Sequence, residues 1–230
     1  MAMWLNTVEL IIPDTSHEKD FIDWYSTIHL PDVLECPGFL NGRLYMAKEL
    51  RAGRGKFLTT YEIESNDIDK TMSVRREMRD EEKKRGRYGD ILDYVYHIWQ
   101  DVLWRHLAKL VADKEHEPGM EKWVNLVETY CIDASREEEY NDWYTNIHLP
   151  DVLKTPGFMT ATRYEIKEFC DGRGRYSTIY EIETDNIDKT MDIRREMRMS
   201  KWEQGRRNNL WLPVWRDVLW RVIVERSISK

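Results

Sequence analysis

Two histidines in one repeated motif are the residues best suited to chemistry. Asp23-Trp24-Tyr25-Ser26-Thr27-Ile28-His29-Leu30-Pro31-Asp32-Val33-Leu34, followed by Pro37-Gly38-Phe39, returns as Asp142-Trp143-Tyr144-Thr145-Asn146-Ile147-His148-Leu149-Pro150-Asp151-Val152-Leu153, followed by Pro156-Gly157-Phe158. Imidazole gives or takes a proton near neutral pH, which makes His29 and His148 candidates for general acid–base catalysis. The competing reading is a histidine at a helix C-terminus, where the dipole favours its charged form. Asp32 and Asp151, three residues on, could orient the rings or serve only as first-turn acids after proline. Arg75 and Arg194 come next, each on the semi-apolar face of a helix. A buried guanidinium needs an anion: a substrate carboxylate or phenolate, or an internal partner such as Glu9, Glu62 or their copies. Asn6 and Asn125 share a strand face with Trp4 and Trp123 and could orient a substrate oxygen. Trp24, Trp143, Tyr25 and Tyr144 either wall a pocket or pack a core, with Tyr45, Tyr61, Tyr164 and Tyr180 as further hydroxyl donors.

The elements that must hold these residues recur with the motif. The displacement is 119 residues, as Trp24 and Trp143 show, and so long a period denotes a duplicated domain rather than a solenoid. Period-two alternation over Trp4–Ile12 predicts a strand, and Phe21, Trp24, Tyr25 and Ile28 form a helical stripe. Pro31 predicts the end of that helix at Leu30, with His29 in its last turn. Strands follow over Phe39–Glu49 and Lys56–Glu64, joined by a hairpin through Ala52-Gly53-Arg54-Gly55, whose copy is Asp171-Gly172-Arg173-Gly174. A second helix runs from Ile68 to about Arg85, and a fourth strand over Asp93–Trp99. The order strand, helix, strand, strand, helix, strand predicts an α+β fold of two tandem ferredoxin-like domains packed sheet to sheet, an intrachain α+β barrel. The domains are expected at 1–113 and 120–230, with 114–119 as linker.

Composition narrows the function classes. Hydrophobic residues make up 41% and charged residues 33%, so each half can bury a core. A net charge of −7 argues against an extended nucleic-acid footprint. No signal peptide and no apolar run long enough for a membrane span are expected. Cys36, Cys131 and Cys170 are odd in number and unmatched between the copies. They fit free thiols in a reducing cytoplasm and offer no metal-ligand spacing.

Trp-Tyr-x-x-Ile-His-Leu-Pro followed by Pro-Gly-Phe resembles the EthD-like branch of the dimeric α+β barrel superfamily, here in tandem form. The resemblance implies a pocket between the sheet and its two helices, with His29 and His148 as acid–base residues. The resulting expectation is a cytoplasmic enzyme without cofactor or metal, acting by proton transfer on a small apolar or aromatic substrate as a lyase (decarboxylase or dehydratase) or isomerase. Homo-oligomerisation is left open. The alternatives are a cofactor-free oxygenase or haem-binding protein, or a non-catalytic small-molecule-binding or stress protein. The copies differ at Arg43-Leu44 against Thr162-Arg163, which predicts unequal pockets.

Overall fold

The computed structural model describes residues 1–50, 54–93, 95–97, 102–168, 173–206, 208–210 and 216–228. The alternating run at the start forms β1, Ala2–Ile11. It is followed by α1, Glu18–Trp24, a π-helical turn over Tyr25–His29, and α2, Leu30–Leu34. Then come β2, Phe39–Ala47, β3, Phe57–Ser65, and α3, Ile68–Lys84, capped by Asp67 accepting from the Lys70 N–H. A two-residue β4, Tyr96–His97, precedes β5, Val102–Val111. The second copy gives β6, Glu121–Thr129, α4, Glu137–Trp143, a second π-turn, Tyr144–His148, and α5, Leu149–Leu153. It ends with β7, Phe158–Ile166, β8, Tyr176–Thr184, α6, Ile187–Glu203, and β9, Arg216–Ser227.

Two compact units result, Met1–His106 with Val222–Lys230, and Leu107–Arg221. In the first, β3 pairs antiparallel with both β1 and β2, and β1 pairs on its other edge with β5 and β4. The far edge of β2 takes the end of β9, where the Ile228 N–H reaches the Leu40 carbonyl at 3.0 Å. The second unit repeats this, with β8 between β6 and β7 and β9 beside β6. The far edge of β7 takes the end of β5, where the Ala112 N–H reaches the Met159 carbonyl at 2.8 Å. In each unit both helices pack one cluster with the strands: Phe21, Leu30, Phe57, Ile63 and Met72 in the first, Tyr140, Leu149, Phe158, Ile182 and Ile187 in the second. No described helix is long and apolar enough to cross a membrane.

Three expectations change on contact with the structure. The first helix does not end before Pro31. The Leu30 N–H bonds the Tyr25 carbonyl five residues back, and the wide turn seats Pro31 in the first turn of α2, where a missing N–H costs nothing. The fourth long strand is β5, Val102–Val111, rather than Asp93–Trp99, part of which lies outside the described residues. Ala52-Gly53 and Asp171-Gly172, the tips of the two expected hairpins, also lie outside, as does Cys170. The glycines that follow serve close approach rather than positive φ. A Cβ on Gly55 would stand 2.5 Å from the Leu10 carbonyl, and its N–H donates to Glu9 Oε1 at 2.6 Å. The expected linker lies outside helix and strand, and its first residue, Lys114, donates to the carbonyls of Leu153, Thr155 and Phe158 at 2.7, 2.6 and 3.0 Å. Its burial lowers its pKa.

Candidate functional site

In the first unit the π-turn places His29. In an α-helix residues five apart diverge by about 140°, whereas i→i+5 bonding brings them one above the other. Trp24 and His29 accordingly stack, with centroids 4.7 Å apart and planes inclined by 22°. Tyr25 and Tyr88 close the other sides of the imidazole at 5.1 and 5.8 Å. Nε2 lies 3.2 Å from the Tyr61 hydroxyl, which is 2.7 Å from that of Tyr25. Burial, with Tyr61 alongside, holds the Tyr25 phenol well above its ordinary pKa.

Arg75, one helical face away, is neutralised within its own helix. Its Nη1 and Nη2 fork onto Glu82 Oε1 and Oε2 at 2.7 and 3.0 Å, and the Tyr88 hydroxyl donates to Oε2 at 3.4 Å. The two side chains are only 9% and 12% exposed. Burial pushes the Tyr88 pKa up to about 12.

The second unit keeps the frame and changes the charges. His148 lies against Trp143 at 5.2 Å and Tyr144 at 4.7 Å. The Tyr144 and Tyr180 hydroxyls are 3.4 Å apart, and Thr178 Oγ1 donates to Tyr144 at 3.2 Å. Burial and then the Arg194 guanidinium lower the His148 pKa to about 3, so its ring is neutral at physiological pH. Arg194 makes no side-chain hydrogen bond or ion pair among the described residues. The position equivalent to Glu82 is Lys201. Burial, helped by Arg198, lowers the Arg194 pKa, and the Arg198 guanidinium lies over the Trp202 ring at 5.2 Å. Arg163, where the first copy has Leu44, is buried between Tyr144 and Tyr176, 4.5 Å from each ring centroid. It donates to Asn141 Oδ1 at 2.6 Å and to Thr145 Oγ1 at 3.2 Å.

Several sequence candidates are occupied elsewhere. Asn6 Nδ2 donates to the Val102 carbonyl at 3.3 Å, and Asn125 Nδ2 to Asp217 Oδ1 at 2.6 Å, so both tie neighbouring strands. Asp32 is held by Arg87 Nε at 2.9 Å and Asp151 by Arg206 Nε at 2.7 Å, each as an acid in the first turn of its helix. Trp24 and Trp143 donate to the carbonyls of those same arginines, Arg87 and Arg206, at 2.8 and 3.2 Å. Glu9 is bound by Arg54 at 2.9 Å and Glu62 by Asn41 at 2.7 Å, so neither pairs with Arg75. The residues missed were Glu82, Tyr88 and Lys201. Glu82 and Lys201 carried a signal, two helical turns beyond Arg75 and Arg194 on the same face. Tyr88 carried none. Two described cavities, of about 790 Å³ beside Asp32, Glu82 and Arg87 and about 410 Å³ beside Leu110, Lys114 and Leu153, are lined without either imidazole. No group of three or more described His, Cys, Asp or Glu side chains is placed to hold a metal ion.

Solved structures match this geometry over nearly the whole chain. An anthrone oxidase-like protein superimposes with a TM-score of 0.60 at 13% identity, covering 99% of this chain and 93% of its own. A candidate monooxygenase from Fusobacterium nucleatum subsp. nucleatum gives 0.59 at 9% identity, covering 98% and 94%. A point mutant of chlorite dismutase from Candidatus Nitrospira defluvii gives 0.57 at 10% identity, covering 96% and 91%. The shared fold is that of dimeric α+β barrel proteins. A domain of unknown function, DUF4286, matches residues 126–192, inside the second unit. No curated protein matches in sequence. These likenesses correct the expected lyase or isomerase: the matched structures are described as oxidase-like, monooxygenase and chlorite dismutase, which favours the alternative of an oxygenase or haem-binding protein.

Proposed function

We propose that the chain is an oxygenase of small, electron-rich aromatic molecules, working without a redox group of its own, at the His148 site of the second unit. The repeated Trp-Tyr-x-x-Ile-His-Leu-Pro motif supports placing it as a tandem member of the EthD-like branch. The observation that carries the reading is the neutral imidazole of His148, set among aromatic rings and beside the cationic Arg194. Such a ring can accept a proton from an activated methylene. An adjacent guanidinium stabilises the anion formed, and that anion in turn favours the protonated imidazole. The electron-rich anion then reduces dioxygen. Two C–H bonds and the O–O bond break, one oxygen stays as a carbonyl and the other leaves as water: CH2 + O2 → C=O + H2O.

Haem does not fit the residues around His29. The His29 ring is packed among Trp24, Tyr25 and Tyr88 with Nε2 at the Tyr61 hydroxyl.

Oxygen uptake with anthrone as probe tests the proposal. The wild type should consume one dioxygen per quinone formed, and His148→Ala, folded by circular dichroism, should be slower by about 10²–10⁴-fold. A wild type that consumes no oxygen with anthrone or simple hydroquinones, or a folded His148→Ala at the wild-type rate, overturns it.

A further inference from the structure

The two copies place an arginine at the same point of the same helix and differ in what answers it. In the first, Glu82 supplies a carboxylate two turns on, held bidentate by Arg75 and touched by the Tyr88 hydroxyl. In the second, the equivalent side chain is Lys201, and Arg194 is left with no ion pair among the described residues. Among the described residues, phenols, a second cation and one carboxylate engaged elsewhere act on it. Tyr144 and Tyr180 offer phenols, Arg198 is a further cation whose buried Nε has no partner among the described residues, and Asp217, which acts on Arg194 electrostatically, accepts from Asn125. Arg194 is half-buried, and a guanidinium that its own helix leaves unanswered offers a planar fork that matches an incoming carboxylate.

We propose that the second unit binds an aromatic carboxylate, whose carboxyl group takes on Arg194 the place that the Glu82 carboxylate occupies on Arg75. Glu82 is then an internal likeness of the ligand, and its fork of 2.7 and 3.0 Å is the geometry to be reproduced. Lys201 supplies a second cation toward the same group. The aromatic ring of the ligand meets the face formed by Trp143, Tyr144 and His148. The first unit, already neutralised by Glu82 and closed by Tyr88, binds no anion. The inference shares its site with the oxygenase reading but concerns binding alone.

Anaerobic isothermal titration calorimetry with benzoate, and with benzamide as its neutral isostere, tests it. Wild type should bind one benzoate per chain, and benzamide at least about tenfold more weakly. Lys201→Glu, which rebuilds the internal pair, should weaken benzoate by at least about tenfold with an unchanged circular dichroism spectrum. No benzoate binding by wild type at millimolar concentration, benzamide binding as tightly, or a folded Lys201→Glu with wild-type affinity would each overturn it. Because no oxygen is present, binding that follows this pattern stands even if the chain consumes none.

Discussion

Arg75 and Arg194 are chemically the same residue in opposite electrostatic situations, and substitution should separate them. Arg75→Met strands the Glu82 carboxylate at 12% exposure, and breaking such a pair by removing one partner costs about 3–5 kcal/mol. Arg194→Met removes a cation that has no ion partner among the described residues, so its stability should fall within about 1 kcal/mol of wild type or above it. Urea denaturation of both variants reads the difference, and equal losses would contradict it. The sequence already implied that Arg75 needed an anion. It pointed to the wrong one, because glutamates on the facing strands were weighed and the acid two turns along the same helix was not. A related point holds at Asn6 and Asn125, whose amides tie neighbouring strands. Alternation assigns a side chain to a face of a strand but says nothing about the carbonyl or carboxylate on the next strand that it will meet.

At the scale of elements, the spacing between helix and sheet is set by one small residue in each copy. A methyl group on Gly42 would overlap Leu30 Cδ1 and stand 3.0 Å from Tyr61 Cδ1. At the equivalent position of the second unit, Ala161 carries that methyl fully buried. Gly42→Ala should therefore destabilise the chain by about 1–3 kcal/mol, as overpacking does. It should also displace Tyr61 from His29 Nε2, now 3.2 Å away. A thermal melt and the His29 imidazole NMR shifts together check this, and an unchanged melt with unchanged shifts would refute it. Helices and strands themselves were legible from apolar periodicity. The π-turn was not. Pro31 announced only that an ordinary α-helix could not continue unaltered, and two outcomes satisfy that condition: a break, or a wider turn that absorbs the missing N–H.

For the whole molecule, similarity and compactness divide the chain differently. The repeat groups 1–113 with 120–230, yet the first compact unit includes Val222–Lys230, whose strand residues cover the edge of β2. A fragment of residues 1–113 would leave that edge with unpaired backbone groups, a template for association. Light scattering on the isolated fragment should find oligomers or aggregates, and a folded, monodisperse monomer would count against this assignment of the edge. Such a division is hidden from a repeat search, which compares side chains position by position and does not see which strand lies beside which.

The exchange of Glu82 for Lys201 also bears on how such a protein can evolve. In an assembly of two identical chains every substitution appears twice, so a residue that opens one site to a ligand removes the internal partner in the other as well. A chain carrying both copies is released from that symmetry. One copy can keep its closed ion pair and the stability that goes with it, while a change in the other alters ligand choice without touching its sibling.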